Sequence, residues 1–442
     1  MQTLQSYIRR SDAFRAFAAD RKSNIKAEGL DGFPLFQCAH LMAESVKGNT
    51  WIVCPTEEMA RTIYGDNGMV KGLPVTLLPT SGRVLYSAWE GSSKEYEQIR
   101  VLGNLSLGGK TLIVTSIRAF CSPVPGKNAV ASSSLTIKAN QSLDTMEVAD
   151  RLSKGNYFRS PNTTMPGEFT LRGEVLDIFP YGEDLPVRIY LDWDRVERIC
   201  RYEPLSQQVT KQLGHVTVRI MAQDDGCAVI PQGISEYISP DDYFIFVGDK
   251  RLESSFRSLQ LEAKSLYRHA YQADHNAVHP TDMLFDFESF YGSRSGSMTV
   301  LDIAGQTPGA YRFDIDGPRS YFGNFTFFKQ DLDGLTGDGW DIKICVSTVV
   351  QKQRLETMLS AYEGIEYIVG NLSGGFSIRS SRFIVFCENE IFGRKKQVLK
   401  TLQHTQTSVL DSFVELHEGD YVVHVNYGIG IFLKIDRVRE RD

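Results

Sequence analysis

Long apolar runs are missing from this 442-residue chain. No stretch reaches the ~18 apolar residues that a membrane-crossing helix requires, so a helical membrane protein is excluded. The opening residues, M-Q-T-L-Q-S-Y-I-R-R-S-D, are polar and charged where a secretory leader would have an apolar centre, and a cytoplasmic location is expected. Paired cysteines are missing too. Cys38, Cys54, Cys121, Cys200, Cys227, Cys345 and Cys387 include no C-x-x-C, which argues against zinc and against a disulfide framework and for reduced thiols in the core. Basic excess is absent: 48 Lys and Arg face 54 Asp and Glu, a net charge of -6, which excludes the broad positive footprint of a bulk nucleic-acid binder.

What is present is periodicity. From Glu168 to Glu174 the apolar Phe169, Leu171 and Gly173 alternate with Glu168, Thr170, Arg172 and Glu174, the mark of a half-buried strand. The apolar register then shifts to Leu176 and Ile178, and a bulge at Gly173 accounts for the shift. Val187, Ile189, Leu191 and Trp193 alternate in a second strand, and Val196–Tyr202 makes a third, after a tight connection at Asp194-Arg195. The expectation is a small antiparallel meander whose wet face carries Glu168, Arg172 and Arg159. On either side, short continuous apolar runs such as W-I-V-C, V-T-L-L and L-I-V-T alternate with helical patterns. That reads as a parallel α/β sheet, completed by Y-F-I-F-V and M-T-V-L-D-I from beyond the meander. Residues 3–22 read as an amphipathic helix.

A phosphate-binding loop would need G-x-x-x-x-G-K-[ST]. Aligned from Asp31-Gly32, this chain puts Pro34 at the second glycine, Leu35 at the lysine and Phe36 at the magnesium-holding hydroxyl. Pro34 has no N–H to donate, Leu35 no charge and Phe36 no oxygen, so no nucleotide is expected there. His269, His275 and His279 stand near Asp274 and Asp282, but Asn276 and Pro280 point to a loop without zinc-like spacing, and surface histidines are expected.

The run P-G-E-F-T-L-R-G-E-V-L-D-I-F-P at 166–180 has Y-F-R upstream, and P-V-R-I-Y-L-D and S-Q-Q downstream. It resembles the UvrA-binding domain shared by UvrB and the bacterial transcription-repair coupling factors. Near the end, G-D-Y-V-V-H-V-N-Y-G-I-G resembles the opening of the coupling factors' RNA-polymerase-interacting domain, a Tudor-like barrel inside which this chain would end. The resemblance implies an α/β architecture with these parts: a UvrB-like domain with a degenerate phosphate loop at 1–121 and 213–320, an inserted antiparallel α+β UvrA-binding domain at 122–212, a third α/β domain at 321–408, and a linker with the start of the barrel at 409–442. It implies UvrA contact through Arg159, Glu168, Phe169, Arg172 and Phe179. It also implies contact with the RNA polymerase beta subunit through Val423, His424, Tyr427 and Gly428.

DNA contact and the ATP-driven translocase belong, in the family, to motor domains whose phosphate loop and acidic magnesium motif do not occur here. The stretch at 78–103 resembles the family with Ser92-Ser93 in place of S-P, and leaves too few residues for the long DNA-inserting hairpin of UvrB. The expected function is therefore recruitment of UvrA by a monomer without cofactor or catalysis. A UvrB-type ATP-dependent damage-recognition subunit is the alternative. Arg394-Lys395-Lys396 reads as a solvated tip.

Overall fold

In the computed structural model, residues 15, 24–87, 91–220, 229–294, 296–302, 307–393, 421–424 and 428–431 are described. Most of the helix expected at 3–22, the basic run at 394–396 and Tyr427 lie outside them. The strands of the three main sheets are, in chain order, Asn24–Glu28 (β1), Thr50–Cys54 (β2), Val75–Leu78 (β3), Leu112–Ser116 (β4), Phe158–Arg159 (β5), Glu168–Arg172 (β6), Val175–Ile178 (β7), Val187–Asp192 (β8), Arg195–Tyr202 (β9), Val209–Leu213 (β10), Tyr243–Val247 (β11), Ser297–Val300 (β12), Tyr311–Arg312 (β13), Ile315–Asp316 (β14), Asp341–Val346 (β15), Glu366–Val369 (β16), Phe376–Ile378 (β17) and Phe383–Cys387 (β18).

The first sheet is parallel and seven-stranded, in the order β13-β1-β12-β11-β2-β4-β3. Its central strands are the continuous apolar runs of the sequence, buried on both faces as a covered parallel sheet requires. Four helices matter below: Gly32–Ser45 (α1), Glu57–Gly65 (α2), Ser93–Ser106 (α3) and Asp249–Ala273 (α4). α3 opens with a reciprocal cap in which Ser92 and Glu95 satisfy each other's backbone N–H groups. Strands from 24–116 and from 243–312 share this sheet, so the chain leaves it after β4 and returns at β11.

Between these visits it builds a six-stranded sheet, β10-β9-β8-β7-β6-β5, antiparallel except for the β5–β6 edge. Two expectations are corrected here. The sheet has six strands rather than three. Gly173 is not a bulge: Gly173-Glu174 is the turn of a β6–β7 hairpin, and Gly173 takes a φ of 55° there. The hairpin keeps Phe169 opposite Ile178 and Leu171 opposite Leu176, so all four stay on the core face. The bulge lies instead in β9, where Glu197 is skipped between Arg198 and Val196.

The two sheets are joined by a tyrosine cluster. Tyr96 of α3 stacks on Tyr181 with ring centres 4.5 Å apart, and Tyr157 packs edge-on against both. The Tyr181 hydroxyl donates to the Asn156 carbonyl and that of Tyr157 to the Arg219 carbonyl. The inner face of the six-stranded sheet thus shares one apolar core with the nearer face of the parallel sheet.

The third unit, β14-β17-β18-β15-β16, packs on the other face. Phe376, Phe383 and Leu372 lie in one core with Phe33, Phe36 and Ile25. Tyr421–His424 and Gly428–Ile431 form an antiparallel pair. The six cysteines outside the undescribed segments are all buried and free. No helix among the described residues is long and apolar enough to cross a membrane.

Candidate partner-docking site on the six-stranded sheet

The outer face of the six-stranded sheet is ordered in cross-strand rows. One row runs Thr170, Asp177, Arg188, Cys200, each opposite the next in register. Asp177 is 1% exposed, which a carboxylate tolerates only with close partners. Arg188 supplies them in a two-pronged clamp, Nε to Oδ1 at 2.7 Å and Nη2 to Oδ2 at 2.8 Å. The guanidinium also donates to Gln207 Oε1 at 2.6 Å and lies 4.3 Å above the Tyr202 ring. Its hydrogen bonds to Asp177 hold Arg188 above its ordinary pKa, while burial and the Asp177 charge push Tyr202 up to about 12. The 160–165 loop closes over this row. Thr170 donates to the Ser160 carbonyl at 2.6 Å, and the hydroxyls of Thr163 and Thr170 meet at 2.9 Å.

The adjacent row is open. Arg172, Val175, Tyr190 and Arg198 face one another in turn across β6, β7, β8 and β9. The Arg172 side chain is 58% exposed and only brushes Asp177, Nη2 to Oδ2 at 3.8 Å. Arg198 lies 4.2 Å above the Tyr190 ring. The two guanidiniums and the phenol of this row are residue types that dominate the energetics of protein interfaces.

The residues expected at this site separate into three groups. Arg172 lies in the open row. Arg159 is exposed on the edge strand β5, but it stands in register with the inward-facing Phe169, so it does not share the face of Glu168 and Arg172 as expected; Phe158, 62% exposed, takes that side. Glu168 is half-buried, and its Oε2 accepts from the backbone N–H groups of Thr164 and Met165, so it shapes the 160–165 loop. Phe169 and Phe179 are corrections: at 1% and 5% exposed they belong to the packed interior and offer a partner no surface. Inward pointing at Phe169 follows from the alternation itself.

Tyr190, Arg198 and the Asp177–Arg188 clamp were not singled out from sequence. The signal was available, since Asp177 falls out of phase with Leu176 and Ile178, and folding back over the Pro180–Pro186 turn sets it opposite Arg188. Val423, His424 and Gly428 lie in the 421–431 strand pair, Val423 opposite Ile429 and His424 opposite Gly428.

The degenerate phosphate loop is filled. Asp31 caps α1, its Oδ1 accepting from the Gly32 N–H at 2.8 Å, at the helix end where a phosphate would otherwise bind. Phe33, Leu35 and Phe36 are buried, and the Phe33 ring lies 5.9 Å from Phe376 of the third unit. A Cβ on Gly29 would stand 2.3 Å from the Phe313 carbonyl oxygen, so the chain after β1 is itself enclosed. Of the histidines, His279 caps the short helix after it and His275 packs on Tyr271. No group of three His, Cys, Asp or Glu converges among the described residues.

Comparison with known proteins bears on this sheet directly. The family described as the UvrB interaction domain matches residues 135–222, and the family described as the CarD-like/TRCF RID domain matches residues 416–442. Among curated proteins, a transcription-repair-coupling factor of Borreliella burgdorferi is 24% identical over 381 residues, covering 78% of this chain and 34% of the relative. One of Bacillus subtilis is 20% identical over 522 residues, covering 99% of this chain and 44% of the relative. One of Staphylococcus aureus (strain Mu50) is 20% identical over 418 residues, covering 77% and 36%. The chain thus spans between about a third and less than half of the relatives it matches.

Proposed function

We propose that this chain, a member of the transcription-repair-coupling factor family, recruits UvrA to stalled RNA polymerase through the outer face of its six-stranded sheet. The observation that carries the reading is the open Arg172–Val175–Tyr190–Arg198 row, which lies inside the stretch matched by the UvrB interaction domain. The Asp177–Arg188 clamp and the tyrosine cluster brace the backbone that carries this row. Preorganisation of this kind lowers the ordering cost of association. Arg172 supplies planar donors on this face, and Phe158, in register with Glu168, extends it onto the edge strand. The CarD-like segment would contact the polymerase beta subunit, and ATP-driven translocation would lie in parts of the family's proteins that this chain does not match.

In this reading the chain has no ATPase activity of its own, supported by the Asp31 carboxylate and the aromatic filling at the start of α1. Titration of purified UvrA into residues 1–442 tests the recruitment role: saturable binding, weakened by changes in the open row, is expected. Absence of binding in the micromolar range would reject it. ATP incubated with the same protein is expected to release no phosphate above background.

A further inference from the structure

The neighbouring strands β2 and β11 send the chain to opposite faces of the parallel sheet. After β2 it enters α2, whose Ala60 and Ile63 join the core shared with the third unit. After β11 it enters α4, whose Leu252, Phe256 and Leu259 join the core on the other side. Helices that diverge in this way leave a crevice beyond the carboxyl ends of the strands, the place where open α/β sheets take their ligands. Here that crevice is open and measures about 890 Å³. It is separate from the filled loop after β1.

Its lining is cationic. Arg61, Arg83, Lys94, Arg118 and Arg251 line it against two carboxylates, Glu57 and Glu58, with hydroxyls such as Thr80 and Ser255 between them. Glu57 is engaged, 3.1 Å from Arg61 and accepting from the Ser116 hydroxyl at 3.1 Å. Arg118 is held by Glu262 and Arg251 by Asp302, which fixes both guanidiniums. Arg83 differs. Its guanidinium has no hydrogen bond or ion pair among the described residues, and its backbone N–H alone is bonded, to Ser81. Burial draws its pKa below the ordinary arginine value, opposed only by the charge of Glu95. Arg83 is half-buried in the crevice lining, so an anion entering the crevice meets a guanidinium that has no ion pair to break among the described residues.

We infer that this crevice binds the phosphate groups of a ligand, with Arg83 as the central donor and Arg251 as a second. A small polyphosphate and the backbone of a single nucleic-acid strand present the same group, and the two are separated by the choice of probe. Sodium tripolyphosphate by calorimetry and a fluorescein-labelled oligodeoxythymidine by anisotropy are titrated into residues 1–442 and into Arg83→Gln, Arg83→Lys and Arg251→Gln variants. At least one probe is expected to bind the unaltered protein, and each glutamine variant to weaken it by about tenfold or more. Arg83→Lys is expected to restore part of the loss. The Arg83→Gln protein is expected to melt no lower than the parent, which a merely structural arginine would not allow. If Arg83→Gln does not fold, Arg251→Gln decides. Tripolyphosphate binding alone assigns the site to a small phosphorylated ligand, and oligonucleotide binding alone to a nucleic-acid backbone. Failure of both probes to bind, or binding unchanged by the glutamine variants, overturns the inference.

Discussion

Arg172 and Arg188 both reach toward the Asp177 carboxylate, and their distances divide the work between them. Arg188 closes at 2.7 Å on a carboxylate that is 2% exposed, whereas Arg172 stays at 3.8 Å with its own side chain 58% exposed. An exposed pair at the longer distance contributes ~0–1 kcal/mol to stability. Removing one partner of a buried pair leaves an uncompensated charge and costs about 3–5 kcal/mol. The two alanine variants should therefore fail in opposite assays. Arg172→Ala is expected to keep its denaturation midpoint and lose about tenfold or more in UvrA affinity, since an arginine at an interface centre contributes roughly 2 kcal/mol or more. Arg188→Ala is expected to lose stability outright, seen as a lower urea midpoint. Calorimetric titration with UvrA beside urea unfolding separates them, and equal effects of both variants in both assays would contradict this division.

The β6–β7 hairpin shows what alternation reveals and what it leaves hidden. Alternation told core from wet face correctly at Phe169, Leu171, Leu176 and Ile178, and a bulge and a two-residue turn both explain a shift beside a glycine. Only pairing decides between them, and pairing depends on residues that meet in space. The resemblance marked Phe169 and Phe179 through their place in a motif, but a motif does not carry depth, and packing put both inside. The strands of the parallel sheet were readable because burial on both faces leaves uninterrupted apolar runs, whereas the sharing of a core by Phe33 and Phe376 leaves no local trace. The two glycines flanking β6 make a test at this scale. Gly173 has a φ of 55° with nothing within 4 Å of an added Cβ, so Gly173→Ala meets only the left-handed backbone cost of ~1–2 kcal/mol. Gly167 has a φ of 89°, and a Cβ there would stand 2.3 Å from the Tyr181 ring, so Gly167→Ala must also displace the tyrosine cluster. Chemical denaturation is expected to rank Gly167→Ala as clearly the more destabilised, and the reverse order would show that the hairpin is not anchored through Tyr181.

Across the whole molecule, the third unit is continuous with the parallel sheet. Phe376, Phe383 and Leu372 bury Phe33 and Phe36, and each large apolar side chain returned to water forfeits ~1.5–3 kcal/mol. Against a total stability of ~5–15 kcal/mol, a fragment ending at residue 320 is expected to be molten or insoluble, read by near-ultraviolet dichroism. A polar contact fastens the same junction. Asp66, at 0% exposed, accepts from the Ser373 N–H at 2.6 Å and the Ser373 hydroxyl at 2.8 Å. Burial outweighs these bonds and pushes Asp66 up to about 6, and it raises Glu390, across the junction, as well. A carboxyl whose folded pKa exceeds its unfolded value binds its proton more tightly when folded. Its stabilising contribution is therefore complete below about pH 4 and is lost as pH rises through about 6. For Asp66 the change is about 3 kcal/mol, opposite in sign to that of an ion-paired carboxylate. Asp66→Asn keeps the shape without the charge, so it is expected to flatten this fall between about pH 4 and 6 and to gain most, relative to the parent, above pH 6. Melting temperatures of the two proteins across that range measure it, and parallel curves would mean that Asp66 keeps its charge throughout.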